Sequence, residues 1–505
     1  MHGRKIINNS ILGVIYKITI LLLGFVTRKI FIVYLGEEIL GLNSLYANLL
    51  DLLNLAELGI GVAVQYQLYG PLVNNDTEKL SRILSSAKRL YNKIGIFVLS
   101  AGFVLSFFIQ NLIKSTNYPL WFIRISFLIS VTGVALGYFF VHKRLFLQAN
   151  EEIGLVNIVD LVAKLITVCL SLVTTVIWKN YFLYLLINAL YGLTGNIIIY
   201  FVFKKKYSTI KENVTNTGAE DKELTKNLKN VVPMKLSNYI YNSTDNIIIS
   251  KILGLSTVAL YSNYMTIING LMGIEYLFGN IITSSFGKII KEVKDNKTVF
   301  RYYLFFQYIQ FLFTGFATVS LAMLCEPFIK LWIGERFVVG NFVFILLVVD
   351  FYVHSMYQPA YVMFGATGKF RDDKYITLAS AIMNIAISII MVNVIGLPGV
   401  IIGTLITDLY IWIVRTYQMV NKYFSESIFL YSLKMLLYTL SVAIGFYVSY
   451  VVCRMINVNN LVIELALKLV VCLIIPNGIN LLLTAKNDEF IYLKQYALKF
   501  FKKGT

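Results

Sequence analysis

The sequence predicts an all-α integral membrane protein of about fourteen transmembrane helices, two pseudo-symmetric six-helix lobes plus two C-terminal helices. Three observations carry that reading. Of 505 residues, 57% are hydrophobic and only 14% charged, against about 25% charged in soluble domains. Apolar runs long enough to cross a bilayer as helices, which takes about 20 residues each, recur along the whole chain. The chain also repeats itself at one constant offset.

The expected spans are 11–35, 40–68, 94–113, 119–141, 153–177, 181–203, 231–253, 258–286, 302–324, 341–364, 375–395, 400–420, 431–453 and 461–484. The first run is long and lacks a small-residue cleavage site, so it reads as a retained helix and not a signal peptide. Between the sixth and seventh spans, residues 204–230 are polar with a Thr/Asn/Gly centre, as a linker would be. The expected organisation is therefore a first lobe over 1–203, a linker over 204–230, a second lobe over 231–422, two extra helices over 430–484 and a basic tail over 485–505.

Lysine and arginine set the orientation. The termini and even-numbered connections hold 30 of them, and the odd-numbered connections 5: Lys114, Lys179, Lys330, Arg336 and Arg454. That asymmetry places both termini and the linker in the cytoplasm. The net charge of +18 thus marks membrane topology rather than nucleic-acid binding.

The repeat offset is 218 residues. It pairs Lys17 with Lys235, Gly36 with Gly254, Ser44 with Ser262, Tyr46 with Tyr264, Glu57 with Glu275 and Gly61 with Gly279, and gives 8 identities in the 27 positions from 35 to 61 without a gap. Apolar helices match partly by composition, but shared Lys, Glu, Tyr and Gly are harder to obtain that way. Two halves of equal orientation, related by an axis along the membrane normal, are a transporter signature with the substrate site at the repeat interface.

The first span carries Lys17 and Arg28, eleven positions apart and so on one helical face, with Gly13 and Gly24 near the same stripe. A cation at the bilayer centre costs about 3 kcal/mol on insertion scales, which a helix lining a watery cavity would offset; snorkelling to opposite surfaces is the alternative. In the second span Ser44, Asn48, Asp51 and Asn54 form a polar stripe. Lys235, Asn238, Asn242, Asp245 and Asn246 do the same in the seventh. Such groups either bind sugar hydroxyls or hold helices together.

Other ionisable residues within spans include Glu57, Glu275, Arg124, Asp160, Lys164, Asp350, His354 and Asp408. Asp160 with Lys164, and Asp350 with His354, are spaced to pair within one helix. Glu57, Glu275, Asp350 and His354 are the candidates for ion coupling, and His354 for relaying a proton. Arg415 and Lys468 lie nearer span ends and are expected to snorkel. The four cysteines have no metal-binding or CxxC spacing and read as small core residues. No metal site and no enzyme motif such as HExxH, GxSxG or a P-loop stands in a usable context.

A basic residue in span one, Tyr34-Leu35-Gly36, GLNSLY at 41–46, AELGIG at 56–61 and YQLYGPL at 66–72, followed by a basic amphipathic stretch, together resemble a known family. They are similar to the bacterial polysaccharide flippases, the capsule- and O-antigen-type oligosaccharide-lipid translocases of the multidrug/oligosaccharidyl-lipid/polysaccharide exporter superfamily. The resemblance implies a MATE-like fold in the bacterial cytoplasmic membrane that works by alternating access. It implies an undecaprenyl-diphosphate-linked oligosaccharide as cargo, flipped from the inner to the outer leaflet. Basic residues of the first helix would meet the diphosphate, which here means Lys17 and Arg28, with Lys235 opposite. Asn48, Asp51, Asn54, Asn238, Asn242, Asp245 and Asn246 would line the glycan cavity.

The chemistry of such a cargo agrees. A diphosphate calls for fixed cations, sugars for a wet cavity, and a polyprenyl tail for an opening onto lipid. The expected partners are the lipid-linked oligosaccharide, membrane lipids, and neighbouring glycan polymerase and glycosyltransferases; no cofactor is expected. The driving force stays open among a proton gradient, a sodium gradient, the membrane potential and consumption of the product outside. Two rivals stand beside this reading: a cation-coupled multidrug exporter of the same architecture, and a membrane glycan polymerase or ligase. The cationic first helix argues against the exporter, and outer connections no longer than about 325–340 argue against the enzyme.

Overall fold

The computed structural model describes residues 2–57, 60–210, 214, 243–293, 295–367, 370–456, 458 and 460–503. The helices run α1 (His2–Leu35), α2 (Glu37–Leu53), α3 (Ile60–Val73), α4 (Thr77–Phe108), α5 (Leu120–Tyr138), α6 (Val141–Ala149), α7 (Ile153–Trp178), α8 (Tyr181–Lys206) and α9 (Asp245–Ile252). They continue with α10 (Leu255–Glu292), α11 (Asn296–Trp332), α12 (Asn341–Met356), α13 (Gln358–Thr367), α14 (Phe370–Ile395), α15 (Leu397–Tyr417), α16 (Ile428–Met455), α17 (Leu461–Leu483) and α18 (Asp488–Lys503). Among the described residues there is no strand. Two compact units form, Met1–Ser262 and Asn263–Thr505, with the division inside α10.

Among the described residues, eleven segments are long and apolar enough to cross a membrane. Three of the fourteen expected spans are not among them. Span 40–68 is broken into α2, a 3₁₀ turn at Asn54–Glu57 and α3. Asn54 is a weak helix former whose Oδ1 accepts a hydrogen bond from the Tyr138 hydroxyl, at 2.7 Å. Span 231–253 is described only from 243 onward. Span 258–286 lies in α10, 38 residues long but carrying Asn263, Asn269 and Glu275 along its length.

The repeat is written into the backbone. Gly36 (φ 89°) and Gly254 (φ 104°) both adopt the left-handed region, and each is followed at once by a helix, α2 at Glu37 and α10 at Leu255. Only glycine takes that conformation without strain, which explains why this residue recurs across the repeat. Tyr46 and Tyr264, both 1% exposed, tie their helices to equivalent places. The Tyr46 hydroxyl donates to the carbonyl of Ile123 at the start of α5 (2.8 Å), and the Tyr264 hydroxyl accepts from the amide of Val339 just before α12 (3.1 Å).

Lipid tails are as apolar as leucine, so helices in a bilayer associate by close packing and not by the hydrophobic effect. Small residues provide the approach. A Cβ on Gly133 of α5 would stand 2.7 Å from the Cα of Ala189 on α8, and one on Gly403 of α15 would stand 2.2 Å from the hydroxyl of Ser388 on α14. The surfaces left over are apolar, with Phe97, Phe103, Trp121, Ile166, Leu436 and Ile474 all exposed, as a lipid-facing surface requires. On α17 only Cys472, Pro476 and Asn480 are buried. Asn480 accepts from the Ser441 hydroxyl of α16 at 2.6 Å, and Gly315 of α11 makes room for its amide. Cys169 is exposed on α7, contrary to its expected place in a core, whereas Cys325, Cys453 and Cys472 are buried.

Candidate functional site

The first unit contains a polar seam built from both copies of the repeat. Arg28 lies on α1, and its guanidinium donates to the hydroxyl of Ser262 on α10. Ser44 of α2 donates to the same hydroxyl at 3.1 Å. One turn further along α2, Asn48 accepts from the Asn246 amide of α9 at 2.7 Å and donates to the Ser243 carbonyl at 3.3 Å. Asp245 accepts from the Tyr261 hydroxyl at 2.9 Å. The phenol of Tyr184 on α8 interacts electrostatically with Arg28.

This pairing follows the repeat. Ser44 and Ser262 are equivalent positions and bond to one another, and Arg28 is equivalent to Asn246. The backbones meet closely here too, since a Cβ on Gly41 would lie 1.9 Å from the carbonyl oxygen of Leu255. Four of the expected site residues thus come together with Ser44: Arg28, Asn48, Asp245 and Asn246. Asp51 is exposed on α2, and Asn54 is engaged by Tyr138. The side chain of Lys17 and residues Lys235, Asn238 and Asn242 lie outside the described residues. Ser262 and Tyr184 complete the seam. The offset of 218 already marked Ser262, whereas Tyr184, one of 34 tyrosines, carried no distinguishing signal.

Chemically the seam joins a guanidinium to hydroxyls and amides. A guanidinium recognises phosphate oxygens through a planar fork of donors. Amides and hydroxyls serve as both donors and acceptors for sugar hydroxyls.

The candidate coupling residues separate into two places. Glu57, in the 3₁₀ turn after α2, accepts from the Tyr91 hydroxyl of α4 at 3.1 Å. Its repeat equivalent Glu275 accepts from the Gln310 amide of α11, also at 3.1 Å. His354 and Asp350 share α12, but the carboxylate bonded to the imidazole is Asp408 of α15, 2.9 Å from Nδ1. The pairings expected from spacing alone differ elsewhere as well. Asp160 bonds Arg144 of α6, while the Lys164 ammonium sits over the Tyr191 ring. Arg415 does not snorkel. It is 3% exposed and pairs with Asp373 at 2.8 Å, with Tyr357 and Tyr361 against its guanidinium. Lys468 pairs with Glu464 one turn earlier on α17. Among the described residues no group of His, Cys, Asp and Glu has the geometry of a metal site.

The described residues form a helical membrane protein with an internal repeat and ionisable groups on its spanning helices. Residues 6–280 match the model of the polysaccharide biosynthesis protein family, over half the chain, and the chain belongs to that family. The fold is similar to that of a structure of the lipid II flippase MurJ, solved in an inward closed conformation, with 14% identity, 95% of this chain and 99% of that chain covered, and a TM-score of 0.71. An inward-facing multidrug resistance MATE family transporter of the MOP superfamily matches at 16% identity, over 80% of this chain and 96% of that one, with a TM-score of 0.65. A MOP superfamily transporter from Pyrococcus furiosus matches at 16% identity over 81% and 93%, with a TM-score of 0.52. No curated protein sequence matches.

Proposed function

We propose that this chain is a flippase that moves undecaprenyl-diphosphate-linked oligosaccharide repeat units from the inner to the outer leaflet of a bacterial cytoplasmic membrane. Alternating access carries the cargo, and the product feeds cell-surface polysaccharide synthesis. The observation that carries the reading is Arg28, a cation set among hydroxyls and amides on a spanning helix, in a chain of the polysaccharide biosynthesis family. Likeness in fold to a lipid II flippase supports a lipid-linked cargo. Lys17 and Arg28 hold the diphosphate, with Lys235 at the repeat-equivalent position. Asn48, Asp51, Asn54, Asn238, Asn242, Asp245 and Asn246 meet the glycan. The chain is not an enzyme: it forms and breaks no covalent bond. Both termini and residues 204–230 face the cytoplasm, beside the glycosyltransferases that supply the cargo, and a polymerase consumes it outside.

Expression in strains that each lack one surface-glycan flippase tests this. Restored surface glycan in at least one strain, with no gain in resistance to cationic drugs, is the expected result. Drug resistance without glycan in any strain would assign the chain to the exporters instead.

A further inference from the structure

We propose that the buried imidazole of His354, bonded to Asp408 in the second unit, is a proton-binding site whose occupancy sets the conformation of the α12–α13 junction. The site is defined by geometry. Nδ1 of His354 lies 2.9 Å from Asp408 Oδ2 and 2.8 Å from the Tyr357 hydroxyl. Nε2 lies 3.2 Å from the Gln358 amide nitrogen and 3.3 Å from the Tyr276 hydroxyl. His354 is 6% exposed, Asp408 0% and Glu275 5%.

Charged and titratable groups face this imidazole from each neighbouring helix. Among the described residues, Asp408 of α15, Glu275 and Tyr276 of α10 and Tyr357 interact with the ring itself, and Asp350 of α12, Tyr361 of α13, Asp373 of α14 and Arg415 of α15 stand behind them around Tyr357 and Tyr276; α11 adds the neutral Gln310 beside Glu275. Tyr357 closes α12. Arg415 is matched by Asp373. Two buried carboxylates meet the imidazole, Asp408 through a hydrogen bond and Glu275 electrostatically. Buried carboxylates at such density do not all ionise without a proton or a compensating cation. Imidazole is the side chain that takes up a proton near neutral pH in water.

The tautomer we assign to the neutral ring has Nδ1–H donating to Asp408, with the Tyr357 hydroxyl beside the same nitrogen, and Nε2 accepting from the Gln358 amide. An aqueous proton adds to the Nε2 lone pair, the ring becomes imidazolium, and the pair with Asp408 passes from one net negative charge to none. Nε2–H then needs an acceptor, so Gln358 must turn its amide oxygen inward or Tyr276 must accept. Gln358 opens α13 beside Pro359, where α12 has just ended at Met356. His354 occupies the last turn of α12, where a positive charge also meets the helix's carbonyl end favourably. Protonation thereby acts directly on the break between two helices. Coupling of this step to transport rests on the flippase reading; the protonation itself does not.

The chain has three histidines, His2, His142 and His354, so ring-¹⁵N labelling of the whole protein in lipid nanodiscs resolves each. His354→Gln assigns the signal; should that variant not fold, His2→Gln and His142→Gln assign it by elimination. The expected result is a change of the His354 ring between neutral and protonated forms within pH 5–9. Asp408→Asn should move the midpoint down by at least one unit, and Asp408→Glu should largely restore it. A His354 signal unchanged from pH 5 to 9 overturns the proposal. In cells, an uncoupler should cut flipping at least threefold, and His354→Gln should abolish that response; an equal response in the variant overturns the coupling. A titrating His354 in a chain that flips no glycan in any strain would uphold the proton site and reject the flippase reading.

Discussion

Arg28 and Arg415 show two ways of keeping a guanidinium inside a membrane protein. Arg415 is neutralised by Asp373 and enclosed by tyrosine rings. Removing one partner of a buried pair leaves the other charge uncompensated, at a cost of about 3–5 kcal/mol. Arg415→Leu should therefore sharply reduce folded protein in the membrane, and the double variant Arg415→Leu/Asp373→Leu should recover much of it. Quantitative immunoblotting with thermal unfolding of the purified variants measures both, and a double variant no more abundant than the single one would contradict this assignment. Arg28 donates to the hydroxyl of Ser262 and interacts with the phenol of Tyr184.

Helix existence was legible in the sequence because the bilayer imposes it: each span must be long, apolar and internally hydrogen-bonded. The repeat was legible because Gly36 and Gly254 hold a conformation other residues avoid. Pairing between elements was not. Spacing suggested Asp160 with Lys164 and Asp350 with His354, yet the partners are Arg144 and Asp408. Sequence shows which residues share a helix face; it does not show which neighbouring helix that face meets. The break at Asn54–Glu57 was missed for a related reason, since apolar content continues through it while Asn54 is drawn to Tyr138.

If alternating access opens the seam of α2 with α9 and α10, locking it shut stops transport. Ser44→Cys with Ser262→Cys places two thiols where hydroxyls now lie 3.1 Å apart. In a background lacking Cys169, Cys325, Cys453 and Cys472, oxidation should cross-link the pair and stop flipping, and reduction should restore it. Full transport by the cross-linked protein would show that the seam does not open. Gly41→Val should destabilise the same seam, because the obstructing atom is a backbone carbonyl that cannot turn aside. Overpacking of this kind typically costs about 1–3 kcal/mol, read as a lower unfolding temperature; an unchanged temperature would refute the close approach.

At the scale of the whole molecule, the proposed orientation rests on the asymmetry of 30 against 5 basic residues. A cysteine replacing Thr217 in the cysteine-free background should resist an impermeant thiol reagent in intact cells and react after lysis. Labelling without lysis would invert the topology and with it the direction of transport. The central claim is that fixed cations of the first helix hold the cargo's diphosphate, and that charge matters there more than shape. Retention of undecaprenyl diphosphate by the purified full-length protein, measured by native mass spectrometry with undecaprenyl monophosphate as the comparison, tests it most directly. The account predicts that the diphosphate is preferred, that Lys17→Arg and Arg28→Lys keep most of the binding, and that Lys17→Ala and Arg28→Ala each lose at least about tenfold, or 1.4 kcal/mol. Equal retention by the alanine variants, at equal folded protein, would contradict it.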